Sequence, residues 1–95
     1  MRNYELVMII SPSVADENIS AIIDKTSQFI TERGGSVAEV NQWGRKKLAY
    51  PIKRCMEGNY VLTPFKMDPN SAIDLQKNLR SSERILRCLL VKLGD

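Results

Sequence analysis

Ninety-five residues, 43% of them apolar and 26% charged, suffice for one hydrophobic core and argue against disorder. Fourteen basic side chains stand against eleven acidic ones, and there is no histidine, the commonest metal ligand and general base. The longest apolar run, Leu6 to Ile10, falls far short of the roughly 20 residues a spanning helix needs, and Glu5 intrudes on any signal-peptide core.

Residues 4–10 read as a strand, with Tyr4, Leu6, Met8 and Ile10 on one face and Glu5, Val7 and Ile9 on the other. Ser11-Pro12-Ser13 breaks it. Ile19, Ile22, Ile23, Thr26, Phe29 and Ile30 then form one helical stripe, with Asp16 and Glu17 where the dipole favours anions and Gly34-Gly35 as the stop. Ser36 to Trp43 alternates around Val37 and Val40 as a second strand. Gly44 marks a bulge or bend. Beyond it Lys46, Leu48, Tyr50 and Ile52 share one parity and Arg45, Lys47, Ala49 and Pro51 the other.

Residues 53–59 read as a loop closed by Gly58-Asn59, and Tyr60 to Met67 as a third strand. Pro64 inside it cannot donate to a ladder, which predicts a bulge or the end of pairing there. Asp68-Pro69 is a strong helix start, with Ala72, Leu75 and Leu79 on one stripe to about Ser81. A last strand runs from Ile85 to Leu93. The order βαββαβ defines an α+β fold, the ferredoxin-like split arrangement, as one domain over residues 1–95. It predicts a four-stranded antiparallel sheet with two helices on one face. Val7, Ile9, Leu89 and Val91 are left for the uncovered face, an apolar surface suited to a partner.

Charge is distributed unevenly. Residues 44–54 carry five of the fourteen basic side chains, and no acid occurs between Glu39 and Glu57. Without residues 40–56 the chain has nine basic and eleven acidic groups, a net −2. Lys77, Arg80, Arg84, Arg87 and Lys92 form a second basic set, whereas the first helix and its flanks are acidic. The fold is thus expected to have a basic and an acidic side. A positive field beside an aromatic ring suits a phosphate-rich polymer, although edge lysines also serve to discourage aggregation.

Catalytic signatures are lacking. There is no nucleophile elbow, no glycine-rich phosphate loop and no paired thiols, and Asp16, Glu17 and Asp24 read as a solvated helix face. Cys88 reads as core, and both cysteines as reduced thiols of a cytoplasmic protein. The RNA-recognition motif shares this fold but stacks bases on several exposed aromatics of its third strand. Gly58-Asn59-Tyr60-Val61-Leu62-Thr63 offers one. Contacts to phosphate and shape, rather than to bases, are therefore expected.

Met1-Arg2-Asn3-Tyr4-Glu5, Gly44-Arg45-Lys46-Lys47-Leu48-Ala49-Tyr50-Pro51-Ile52, and Arg84-Ile85-Leu86-Arg87 with Val91-Lys92 closely resemble the bacterial small-subunit ribosomal protein six family. The likeness runs through essentially the whole chain without obvious gaps. It implies a structural role in the platform of the small subunit, bound to small-subunit (16S-type) rRNA together with ribosomal protein eighteen, after other proteins have prepared the RNA. It implies no enzyme activity, cofactor, metal, membrane or small-molecule substrate. By that likeness RNA contact falls on Arg2, Arg45, Lys46, Lys47, Tyr50, Lys53, Arg54, Arg80, Arg84, Arg87 and Lys92. Many members carry a charged C-terminal extension that engages the partner, where this sequence stops at Gly94-Asp95. Trp43 is expected in the core, or alternatively in a partner interface. The rival readings are a non-ribosomal interaction or regulatory domain on the same fold, which would dimerise through the open sheet face, and a small dimeric oxidative enzyme.

Overall fold

The computed structural model describes residues 1–94; the last residue of the expected domain, Asp95, lies outside the described residues. The elements in order are β1 (Arg2–Ile10), α1 (Asp16–Glu32), β2 (Ser36–Val37), β3 (Asn41–Ile52), β4 (Cys55–Met67), α2 (Pro69–Arg80) and β5 (Ile85–Lys92). The sheet is antiparallel, with β1 between β4 and β5, and β2 and β3 sharing the far edge of β4. The split βαββαβ plan is as expected. The sheet has five strands rather than four, because the second expected strand is two pieces on one edge.

Pro64 explains that division. Its carbonyl accepts from Ala38 N at 3.0 Å. A strand residue's N and C=O point the same way, so the proline nitrogen faces the same edge. There β2 ends at Val37 and β3 begins only at Asn41, so no donor is missing. Toward β1 the predicted bulge does not occur: Glu5 lies opposite Pro64 in an unbroken register from Arg2–Met67 to Ile10–Asn59.

Tyr4, Leu6, Met8 and Ile10 are buried against Ile19, Ile23 and Ile30 of α1 and Ala72, Leu75 and Leu79 of α2, so both helices cover one face. Full burial of a side chain such as Leu6 or Met8 contributes about 1.5–3 kcal/mol, which makes this layer the principal source of stability. Asp68 caps α2 by accepting from Asn70 N (3.1 Å) and Ser71 N (3.4 Å), with Pro69 at the first helical position. After α1, Gly34 N donates to Thr31 O and Gly35 N to Ile30 O, ending the helix as the paired glycines predict. Cys55 and Cys88 are free thiols.

A second, smaller cluster lies on the opposite face at one end. Ile9, Leu48 and Leu86 are buried there, with Ile52, Cys55 and Tyr60 packed around them. Gly58 makes it possible, since a Cβ at that position would collide with Ile9 Cγ2. This cluster corrects two expectations. Residues 53–59 are not a loop: β3 and β4 continue as a hairpin whose turn is Lys53-Arg54 alone, because Leu48 and Ile52 find apolar cover over Ile9 and Leu86. Ile9 is consequently buried rather than part of an open patch, while Leu89 (43% exposed) and Val91 (45%) do remain uncovered.

Candidate nucleic-acid interface

The hairpin β3–β4 departs from regular pairing three times, and each departure positions a charged or aromatic side chain. The first is a bulge. Gln42 lies opposite Val61 and Gly44 opposite Tyr60, leaving Trp43 as the extra residue. Gly44 has φ +81° with open space where a Cβ would be, so glycine is needed there for backbone conformation and not for room. Trp43 is 51% exposed, which corrects its expected place in the core. The Lys46 ammonium stands 5.3 Å from its ring centroid.

The second is an arch. Lys47 pairs with Glu57 and Ile52 with Cys55, so the four residues Leu48–Pro51 face Met56 alone. The arch lowers Leu48 into the small cluster and lifts Tyr50 to the surface, where its hydroxyl accepts from the Arg87 guanidinium of β5. The third is the turn. Lys53 (φ 48°) and Arg54 (φ 67°) are both left-handed, the type I′ pattern that Asn-Gly usually supplies. The Lys53 ammonium donates to Ile85 O at 3.3 Å, tying the tip to the start of β5.

Alternation divides the arm's charges between two faces. Arg45 and Lys47 point toward the helix layer. Arg45 donates to Pro12 O at 2.8 Å and lies 3.9 Å from Glu57. Lys47 and Arg54 line a groove of about 430 Å³ with Pro12, Leu48, Met56 and Glu57. Lys46 lies opposite Gly58 on the other face, the side that also carries Arg87, paired with Ile9.

Seven of the sequence-predicted residues therefore share the arm and its β5 neighbour, divided between two faces: Arg45, Lys46, Lys47, Tyr50, Lys53, Arg54 and Arg87. Four do not. Arg84 sends its side chain to a groove between the helices with Lys25 and Thr26, although its carbonyl accepts from Ser11 N at 2.8 Å, next to the Pro12 that Arg45 holds. Arg80 stands beside the buried thiol of Cys88: burial pushes that thiol above its ordinary value, and the guanidinium pulls it partly back. Arg2 and Lys92 lie at the other end of the sheet, near Met67 and Tyr4 respectively. Those two positions are eight and six strand residues from Ile10, or about 26 and about 20 Å. The expected split into a basic and an acidic side also needs correction. Glu57 lies 3.9 Å from Arg45 within the arm itself, so the two signs are not cleanly parted. Of the two places the sequence offers Trp43, core or partner interface, its exposure excludes the core, a direction the bulge signal at Gly44 already indicates.

Sheet, helices and arm define a ferredoxin-like α+β domain that presents cations on an edge hairpin. The family model for ribosomal protein S6 matches residues 3–92. The chain is 42% identical over 95 residues to small ribosomal subunit protein bS6 of Moorella thermoacetica, covering all of this chain and 97% of that one. It is 35% identical over 95 residues to the bS6 protein of Desulforamulus reducens, covering both completely. The crystal structure of 30S ribosomal protein S6 from Thermotoga maritima matches with a TM-score of 0.90 at 30% identity, over 97% of this chain and 87% of that one. The chain belongs to the ribosomal protein S6 family: it is a structural, non-enzymatic component of the small ribosomal subunit and works in the cytoplasm.

Proposed function

We propose that the chain, acting as one domain over residues 1–95, binds small-subunit rRNA in the platform together with ribosomal protein eighteen, chiefly through backbone and shape contacts. The carrying observation is the basic arm, which bears Arg45, Lys46, Lys47, Lys53 and Arg54 on its two faces and tip and is joined to Arg87 of β5 through the Tyr50 hydroxyl. Guanidinium and ammonium groups on a protruding edge hairpin suit phosphate oxygens. Arg80 and Arg84 on the helix side, and Arg2 and Lys92 at the far end, would serve as outlying contacts on a large RNA. A net charge of +3 is small for a protein that holds RNA alone. Solitary binding is therefore weak and gains affinity when the partner completes the surface.

A gel shift on platform rRNA, with and without ribosomal protein eighteen, tests this reading. Affinity should fall with salt by about 0.7–0.9 log units per log unit of salt for each phosphate contact, and should rise when the partner is added. Tight binding without the partner would sink the cooperative half; no binding in either arm would sink the whole.

A further inference from the structure

Trp43 is the chain's one tryptophan, half-exposed, and outside both apolar clusters. It sits on an edge strand at a bulge whose next residue, Gly44, occupies a conformation that L side chains rarely adopt. Bulges re-aim side chains, and this one turns an indole outward at the start of the most basic stretch of the molecule. An ammonium over the ring marks the site further: the Lys46 cation interacts with the indole at 5.3 Å, and Arg45 and Lys47 flank that lysine.

We propose that Trp43 is a stacking platform for one unpaired RNA base, with Lys46 neutralising the phosphate beside it. The inference rests on the rRNA-binding reading and adds a base contact to a mode otherwise built on backbone and shape. A protein surface closing over Trp43 would have to desolvate Lys46 or bring a carboxylate of its own to pair with it. RNA brings its own counter-charge, and every base has a face that an indole accepts. The aromatic strip expected of an RNA-recognition motif is missing from β4, yet a ring is available on the neighbouring strand.

Trp43 fluorescence reports the site directly, because no other tryptophan contributes. Titration with the platform rRNA fragment should quench it. Trp43→Ala should weaken binding roughly 5- to 150-fold, the range of one stacked base, with an unchanged salt slope. Trp43→Phe should restore most of the affinity, whereas Trp43→Leu, apolar but unable to stack, should bind like the alanine variant. Lys46→Ala should instead flatten the salt slope by about 0.7–0.9. Thermal unfolding checks that each variant remains folded.

Wild-type affinity in Trp43→Leu, or quenching by ribosomal protein eighteen alone in the absence of RNA, would overturn the proposal in favour of a protein contact. If the wild type binds RNA and Trp43→Ala binds equally well, the stacking inference fails while the rRNA reading stands. If the wild type binds no RNA with or without the partner, both fall.

Discussion

The central ladder and the edge hairpin belong to one sheet yet are built to different standards. Against β4, β1 holds nine consecutive pairs with no register shift, and its inward face is almost wholly buried. The hairpin β3–β4 shifts register twice, places Gly44, Lys53 and Arg54 at positive φ, and exposes most of β3. Irregularity and positive charge thus coincide on the part of the sheet with the least packing to lose. Local strain of order 1–3 kcal/mol persists only where surroundings over-determine it. Here the Leu48–Ile9–Leu86 cluster and the ties from Tyr50 to Arg87 and Lys53 to Ile85 do so.

The sharpest way to break the comparison is to damage the ladder. Leu6→Ala should cost about 2–5 kcal/mol in denaturant unfolding, since Leu6 is completely buried between both helices and the sheet. Binding to platform rRNA, measured where the variant is still folded, should keep its salt slope. A changed slope would mean that ladder and arm are not separable. The ladder also carries a flaw that can be repaired. Among the described residues Thr63 Oγ1 is buried with no hydrogen-bond partner, so Thr63→Val should stabilise by about 1–2 kcal/mol in the same assay.

The arm should respond in the opposite sense. Replacing Lys53-Arg54 by Asn-Gly relieves two left-handed side-chain residues at roughly 1–2 kcal/mol each. Losing the Lys53–Ile85 bond and loosening the unfolded chain with glycine offset part of that gain. The net expectation is a gain of about 1 kcal/mol in stability, together with a salt slope for rRNA lowered by about 1.4–1.8 for two lost phosphate contacts. A variant that is stabler and binds RNA with an unchanged slope would show that these two cations do not contact phosphate.

Legibility in the sequence followed locality. The buried face Tyr4, Leu6, Met8, Ile10 and the cap Asp68-Pro69 depend on neighbours in the chain, and each was readable from spacing alone. The hairpin was not. Lys53-Arg54 lacks the glycine or asparagine that marks a tight turn, while Gly58-Asn59, which has that look, lies inside β4 because Ile9 needs the room. The basic segment was plain from composition. Its division between two faces followed from strand parity, but that Arg87 joins it while Arg84 and Arg80 turn to the helix side is set by pairing across the sheet. Trp43 is ambiguous for a related reason: a large ring suits either the core or a partner surface, and only the register slip beside Gly44 decides the direction.

The smallest effects give the cleanest contrast, because two exposed ion pairs of similar chemistry sit in the two regions. Arg33–Asp74 (3.2 Å) joins the helices, and Arg45–Glu57 (3.9 Å) lies within the arm. Both are substantially open to water, so Asp74→Gln and Glu57→Gln should each change stability by about 0.5 kcal/mol or less. Their effects on RNA should differ. Glu57→Gln removes a negative charge beside Arg45 and should tighten rRNA binding by a factor of about two to five at low salt, fading as salt is raised. Asp74→Gln, on the helix face, should leave it unchanged. Equal responses in the two variants would mean that RNA senses only net charge, and the arm would lose its claim to be the binding edge.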